Sequence, residues 1–259
     1  MDHESPTYRQ QPALQRVSYR DIRNALAFGW RTFRRIPGAS VGFASIFVFI
    51  GLALLAGVGW FGFSPMALPF AGGFLLVGPV LLGGFFELAV RDSQGRRARF
   101  VDAARRSASP PPGILVISLV CAFLFLVWIT DAAVLYSFMV GTGHLPYKLP
   151  WLIDLKENVV GFELLSSLMG SVLAFIIFAI SAFSVPLVHE HRTSLVQAIY
   201  LSVRAVFRNF LISLTWGALL SAVTIVSVAV LPLLLLSLPV LAYASFDLYR
   251  SAFPLQPPD

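Results

Sequence analysis

The stretch GILVISLVCAFLFLVWITDAAVLYSFMV, residues 113–140, carries a single charged side chain, Asp131. A bilayer core is crossed by about 20 mostly apolar residues in a helix. This run is long enough to cross. It is also too long and too uniform for a transmembrane barrel strand, which has about ten residues of alternating polarity. Five further runs read the same way: 39–61, 66–90, 164–188, 209–229 and 231–250, the last two parted only by a tight turn near Val230 to Pro232. Composition points in the same direction. The 259 residues are 57% hydrophobic and 12% charged, with mean hydropathy +0.78. A soluble domain carries about 25% charged residues. The expected fold class is all-α: a polytopic membrane protein with six transmembrane helices.

Orientation follows from the basic residues. Arg9, Arg16, Arg20, Arg23, Arg31, Arg34 and Arg35 precede the first span. Arg91, Arg96, Arg97, Arg99, Arg105 and Arg106 follow the second, Arg192, Arg204 and Arg208 follow the fourth, and Arg250 ends the sixth. The opposite loops hold only Lys148 and Lys156. Both termini are therefore expected on the cytoplasmic side, with the 142–163 loop outside. The net charge of +6 is read as topology signal and contact with anionic headgroups, not as a nucleic-acid surface, because the arginines are spread over every inner loop. The N-terminal residues contain no apolar core of signal-peptide length, so no cleaved leader is expected. The single cysteine, Cys121, lies in an apolar run and excludes an intramolecular disulfide. The expected organisation is a disordered N-terminus over 1–17, one membrane domain over 18–253 and a tail over 254–259.

The inner loops have structure of their own. SYRDIRNALAFGWRTFRRIP, 18–37, opens with a capping pattern, Ser18 and Asp21. Ile22, Leu26, Trp30 and Phe33 then recur at helical spacing among arginines. TSLVQAIYLSVRAVFRN, 193–209, repeats the arrangement. At an offset of 173 the two share Ala25/Ala198, Arg31/Arg204, Arg35/Arg208 and Ser40/Ser213. Both are expected to be amphipathic helices at the inner interface. RFVDAARRSASPPPG, 99–113, is a weaker third copy, stopped by Pro110 to Pro112. The expected plan is an interfacial helix, a span out and a span back, written three times.

The returning spans also echo one another, as in PVLLGGFFEL (79–88) and PVLAYASFDL (239–248). Pro79 precedes Glu87, Pro186 precedes Glu190, and Pro239 precedes Asp247, each proline marking a helix kink. Each acid has an arginine nearby: Arg91, Arg192 and Arg250. One reading makes the acids interfacial ion pairs that end the spans. The other makes Glu87, Glu190 and Asp247 converge on a vestibule that binds a cation or proton. Asp131, near the outer end of its span, is either a solvated boundary residue or a polar contact in a pathway or with a partner subunit.

Small residues stack at every fourth position on the fourth span (Ser166, Gly170, Ala174) and the fifth (Ser213, Gly217, Ser221), a pattern that lets helix backbones approach closely. The outer loop holds Tyr147 and Trp151 and is expected to form a short helix on the outer membrane surface. His189 and His191 supply two ligands where zinc takes four, so no metal is assigned, and no cofactor is expected. No catalytic signature of nucleophile, metal or phosphate-loop type is present.

PFAGGFLLVGPVLLGGFFEL (69–88), FSVPLVHEHRTSLVQAIYLSVRAVFRN (183–209), WGALL (216–220) and LPVLAYASFDLYR (238–250) resemble a bacterial family of predicted integral membrane proteins carrying a domain of unknown function. The resemblance implies six helices in the inner membrane and no established activity. Typical members carry histidines where this chain has Tyr243 and Asp247, so no metal or haem role carries over. The expected function is a non-catalytic accessory or scaffold subunit of a larger membrane assembly, with lipids, other membrane subunits or a second copy of itself as partners. The alternative is a small transporter or channel for an ion, lipid or small solute.

Overall fold

The computed structural model describes residues 12–60, 79, 82–139 and 157–255. Most of the second expected span (66–78, 80 and 81), the outer loop with Tyr147, Lys148, Trp151 and Lys156, and the C-terminal residues 256–259 lie outside the described residues. The described residues form helices and no strand. They are α1 Tyr19–Arg35, α2 Pro37–Trp60, α3 over 82–93, α4 Phe100–Ala108, α5 Pro112–Met139, α6 Glu157–Ser181, α7 Ser184–His189, α8 Leu195–Arg208, α9 Phe210–Ala229 and α10 Leu234–Ala252.

Among the described residues four segments are long and apolar enough to cross a membrane: Pro112–Leu135, Leu164–His189, Phe210–Ser227 and Leu231–Ala252. A fifth is added if α1 and the first part of α2 count as one bent span. They cover the third to sixth expected spans, and α2 covers the first. Of the 66–90 run, Pro79 and the residues of α3 are described; Pro79 is helical and buried.

Short polar helices alternate with long apolar ones, and the corners between them share a conformation. Ile36, Ser109 and Asn209 end α1, α4 and α8 at φ −127°, −129° and −117° with ψ 51°, 65° and 41°. Each donates its N–H four residues back, to Thr32, Arg105 and Ala205. Proline opens the next helix at Pro37 and Pro112, where a missing N–H costs no helical bond. At the other end of α1 and α4 an acid closes the first turn. Asp21 accepts from the Ser18 N–H at 2.7 Å, and Asp102 accepts from the Arg99 N–H at 3.0 Å.

Positions 173 apart match in burial as well as in type. Ala25 and Ala198 are fully buried, as are Thr32 and Ala205. Ser40 and Ser213 are buried, while Arg31, Arg35, Arg204 and Arg208 are exposed. The buried stripe of α1 is thus Ile22, Ala25, Gly29 and Thr32, small residues one position removed from the aromatic stripe that the sequence emphasises. Trp30 is exposed. The reason is the neighbour. α1 lies against α10, and small side chains let the two backbones close. A Cβ on Gly29 would overlap the Val240 carbonyl oxygen and stand 3.1 Å from the Ala244 nitrogen.

α10 fills an elbow. The chain turns by 103° between α1 and α2, and α10 packs against both arms, meeting each in reverse chain order. The Gln15 N–H donates to the Ala252 carbonyl at 2.9 Å, beyond the Gly29 contact. On the other arm the hydroxyls of Ser40 and Tyr243 lie 2.7 Å apart, and Gly51 faces Leu231. Residues 12–17 therefore differ from the disordered tail expected over 1–17. Val17 is buried, and its N–H donates to Asn209 Oδ1 at 2.9 Å. An aromatic core joins the elbow to α3: Phe43 meets Phe85 at 4.9 Å, Phe85 meets Tyr243 at 5.9 Å, and Phe86 stacks on Phe246 at 5.1 Å.

The fourth span is broken at Ala182–Phe183, between α6 and α7. Pro186 accounts for the break, since its ring displaces the carbonyl four residues earlier, that of Ala182. Backbone groups freed in an apolar setting must find partners. Ser202 of α8 supplies them: its hydroxyl donates to the Ala179 carbonyl at 2.7 Å and accepts from the Phe183 N–H at 3.1 Å. Pro239 behaves differently, lying inside the continuous helix α10.

Two substitutions test this packing by thermal unfolding in detergent. Gly29→Ala is expected to destabilise by about 1–3 kcal/mol through overpacking, while Gly38→Ala, with nothing within 4 Å of the added carbon, is tolerated. Ser202→Ala, which strands two buried backbone groups, is expected to cost about 1–3 kcal/mol. Unchanged unfolding for either Gly29→Ala or Ser202→Ala contradicts the corresponding contact.

Candidate functional site

One end of the bundle collects the charge. The last turn of α3, helix α4, the turn after α7 and the last turn of α10 meet there and enclose two adjoining open clefts of about 430 Å³ and 310 Å³. Glu87 and Arg106 line both. Glu190, Arg192 and Arg250 line the larger, and Arg91, Asp102 and Arg105 the smaller.

Each acid and base is positioned by helix geometry. Glu87 and Arg91 are one turn apart on α3, and Arg91 Nε donates to Glu87 Oε1 at 2.7 Å. The same guanidinium reaches Asp102 of α4 at 3.2 Å, tying the two helices. Arg35, the last residue of α1, forks onto Asp92 of α3 through Nη2 at 2.6 Å and Nε at 3.0 Å. This two-point guanidinium–carboxylate contact fixes the α1–α2 corner against α3. On α4, Arg106 Nη2 donates to the His189 carbonyl at 2.7 Å, where a cation suits the open carbonyls of the α7 C-terminus. The His189 ring is buried edge-on to Phe86 at 5.8 Å.

Arg250 takes the place expected for Arg192 beside Glu190, and Arg192 pairs with no acid among the described residues. Glu190 accepts from Arg250 Nη2 at 2.9 Å and from the Tyr249 hydroxyl at 2.7 Å. Arg192 instead donates to the Tyr249 hydroxyl at 3.0 Å, the Phe253 carbonyl at 2.6 Å and the Pro254 carbonyl at 2.8 Å. The reason lies in the turn after α7. His191 adopts φ 54°, the left-handed conformation that commonly ends helices. The His191 N–H bonds the Val188 carbonyl and the Arg192 N–H bonds the Leu187 carbonyl, both at 3.1 Å. That reversal carries Arg192 away from Glu190 and onto the chain end.

Of the four candidate acids, the clefts therefore unite Glu87 and Glu190, and both are held by arginine. Asp247 is half-buried on α10, with Arg250, Arg31 and Asp21 as its charged neighbours. Asp131 lies on α5, 19 residues past its start, roughly 28 Å along the axis at 1.5 Å per residue. It is half-buried and makes no hydrogen bond or ion pair among the described residues. The small-residue positions split similarly. Gly170 packs against the Trp128 indole, Gly217 faces Phe178 and Ser213 is buried. Ser166 is half-buried, while Ala174 and Ser221 are exposed. Among the described residues no cluster of three His, Cys, Asp or Glu could hold a metal ion.

The sequence reading did not single out Asp92 or Tyr249, and it counted Arg106 only as a topology signal. Their partners lie 57, 59 and 83 positions away. The pairing of RR in α4 with HEH after α7 could have hinted at Arg106; nothing local marks the other two.

Residues 67–190, just under half of the chain, match the model of a family described as a predicted integral membrane protein, DUF2189. That is the kind of family the sequence resembles. The match takes in PFAGGFLLVGPVLLGGFFEL and FSVPLVHE, while the later stretches lie beyond it. No curated protein and no solved structure matches the chain. With its several apolar helices, the protein is an integral membrane protein of unknown function.

Arg192→Met removes the clamp on the Phe253 and Pro254 carbonyls while keeping side-chain length. Hydrogen exchange of amides in 249–255 is expected to rise by tenfold or more, corresponding to the loss of about 1.5–3 kcal/mol from bonds to a charged donor. Unchanged protection there contradicts the clamp.

Proposed function

We propose that this protein is a non-catalytic accessory or scaffold subunit of a larger inner-membrane assembly. The observation that carries this reading is the sparse internal cover on its spans. Only 17% of the Phe210–Ser227 window and 22% of the Pro112–Leu135 window is buried within the described structure. Lipid alone can cover such faces, but their composition favours another helix. Thr215, Ala218, Ser221 and Ala222 on α9, and Ser167, Ser171 and Ala174 on α6, are exposed. Small residues let a partner helix approach closely where lipid offers no competing hydrophobic drive. The ion pairs held by Glu87 and Glu190 favour a structural role over a cation path.

The six-span plan and its triple unit are part of the same inference. The matched corners after α1, α4 and α8 and the common burial at offset 173 support a repeated unit of short helix and span. The arginine-rich end is read as cytoplasmic by the positive-inside rule. There the exposed arginines of α1, α4 and α8 meet anionic headgroups. The second reading, transport of an ion, lipid or small solute, is favoured by Asp131, a half-buried acid inside a span. Such groups commonly mark polar pathways.

Purification of the natively expressed, tagged protein in nanodiscs, with co-purifying subunits quantified, separates the two. A stoichiometric partner is expected, and Glu87→Gln and Asp247→Asn should leave its recovery unchanged. A partner-free protein whose reconstituted flux is abolished by Asp131→Asn makes it a transporter.

A further inference from the structure

We infer that the two adjoining clefts form one binding site for a phosphate group, with Arg105, Arg106 and Arg192 as its ligating cations. The site's charge is the first reason. Five arginines, 91, 105, 106, 192 and 250, line the clefts against three carboxylates, Glu87, Asp102 and Glu190. Arg91 and Arg250 are spent on those carboxylates. The other three have no ion pair among the described residues. Arg106 bonds only the His189 ring and carbonyl. Arg192 bonds only a phenol and two carbonyls. Arg105 is exposed and makes no hydrogen bond or ion pair among the described residues. A cation is repelled by this excess, whereas a phosphate oxygen pair suits the planar guanidinium fork.

The second reason is an unmet donor. Arg250 Nε is buried and has no hydrogen-bond partner among the described residues. A buried donor on a charged group is costly to leave unpaired, and Arg250 forms part of the wall of the larger cleft. The third reason is the surround. The exposed Leu255 lines the larger cleft. An anion bearing an apolar tail therefore meets apolar surface next to its phosphate. The phosphate can belong to a lipid headgroup or to a free phosphate ester, and the chemistry of recognition is the same. This inference does not rest on the subunit reading, since the clefts are formed within one chain.

The test uses the purified full-length chain. Native mass spectrometry measures retention of dioleoylphosphatidylglycerol against dioleoylphosphatidylcholine, and thermal unfolding measures inorganic phosphate against chloride at matched ionic strength. Arg105→Gln is the main variant, because the Arg105 side chain makes no hydrogen bond or ion pair among the described residues. Arg97→Gln, an exposed loop arginine away from the clefts, is the control. Arg105→Gln is expected to weaken binding by about tenfold, the loss of one charge-assisted contact, with Arg97→Gln unchanged. Phosphatidylglycerol preference lost in Arg105→Gln assigns the site to a lipid headgroup. A saturable phosphate stabilisation lost in Arg105→Gln, without lipid preference, assigns it to a free phosphate ester. Neither preference, or equal effects of the two substitutions, overturns the site. The comparison stands on Arg105→Gln alone even if Arg106→Gln, which uncaps α7, fails to fold.

Discussion

Gly29 sits where a side chain would run into the Val240 carbonyl, and much of the fold follows from that approach. It lets a polar, arginine-bearing helix lie against an apolar span. Elsewhere in a bilayer, helices gain little from hydrophobic attraction to one another, because lipid tails are equally apolar. Close backbone contact through small residues replaces it. With Ala25 and Thr32 fully buried beside Gly29, α1 can lie flush on α10, the α1–α2 elbow closes around it, and Tyr243 reaches Ser40.

The second constraint is the need of every backbone polar group for a partner in an apolar setting. It explains why the broken fourth span is tolerated. Pro186 forces the break, and Ser202, buried in α8, bonds the Ala179 carbonyl and the Phe183 N–H that the break parts. Position 202 stands 173 residues after Gly29, so equivalent seam positions are used in two ways. One is emptied to let a backbone in, and the other keeps a hydroxyl to satisfy one. At the arginine-rich end the same demand is met by charge: Arg106 on the end of α7, Arg192 on the chain end, Arg35 on Asp92.

Much of this was legible in the chain. The apolar runs that became α5, α9 and α10, and the proline-marked corners, rest on local rules of length, periodicity and backbone geometry. The pair Glu87–Arg91 was legible because it is a single helical turn. The other pairings were not. Glu190 and Arg192 are neighbours in sequence, yet the left-handed turn at His191 separates them and delivers Arg250 from 60 positions away. The seam that α1 presents to α10 was not legible either, because hydropathy picks out Trp30 and Phe33 and passes over Ala25 and Gly29. Hydropathy measures preference for an apolar medium, and the seam selects for smallness.

The sequence by itself determined the class of the protein, the helical character of its apolar runs and the alternation of short basic helices with long apolar ones. These depend on composition and on periods of a few residues. Only the tertiary structure decided which carboxylate meets which arginine, that Asp247 stands outside the clefts lined by Glu87 and Glu190, and that three guanidiniums there have no ion pair among the described residues. Those outcomes depend on the approach of α3, α4, α7 and α10, elements separated by up to about 160 residues. No local rule fixes where such distant segments touch, because packing between whole helices sets it.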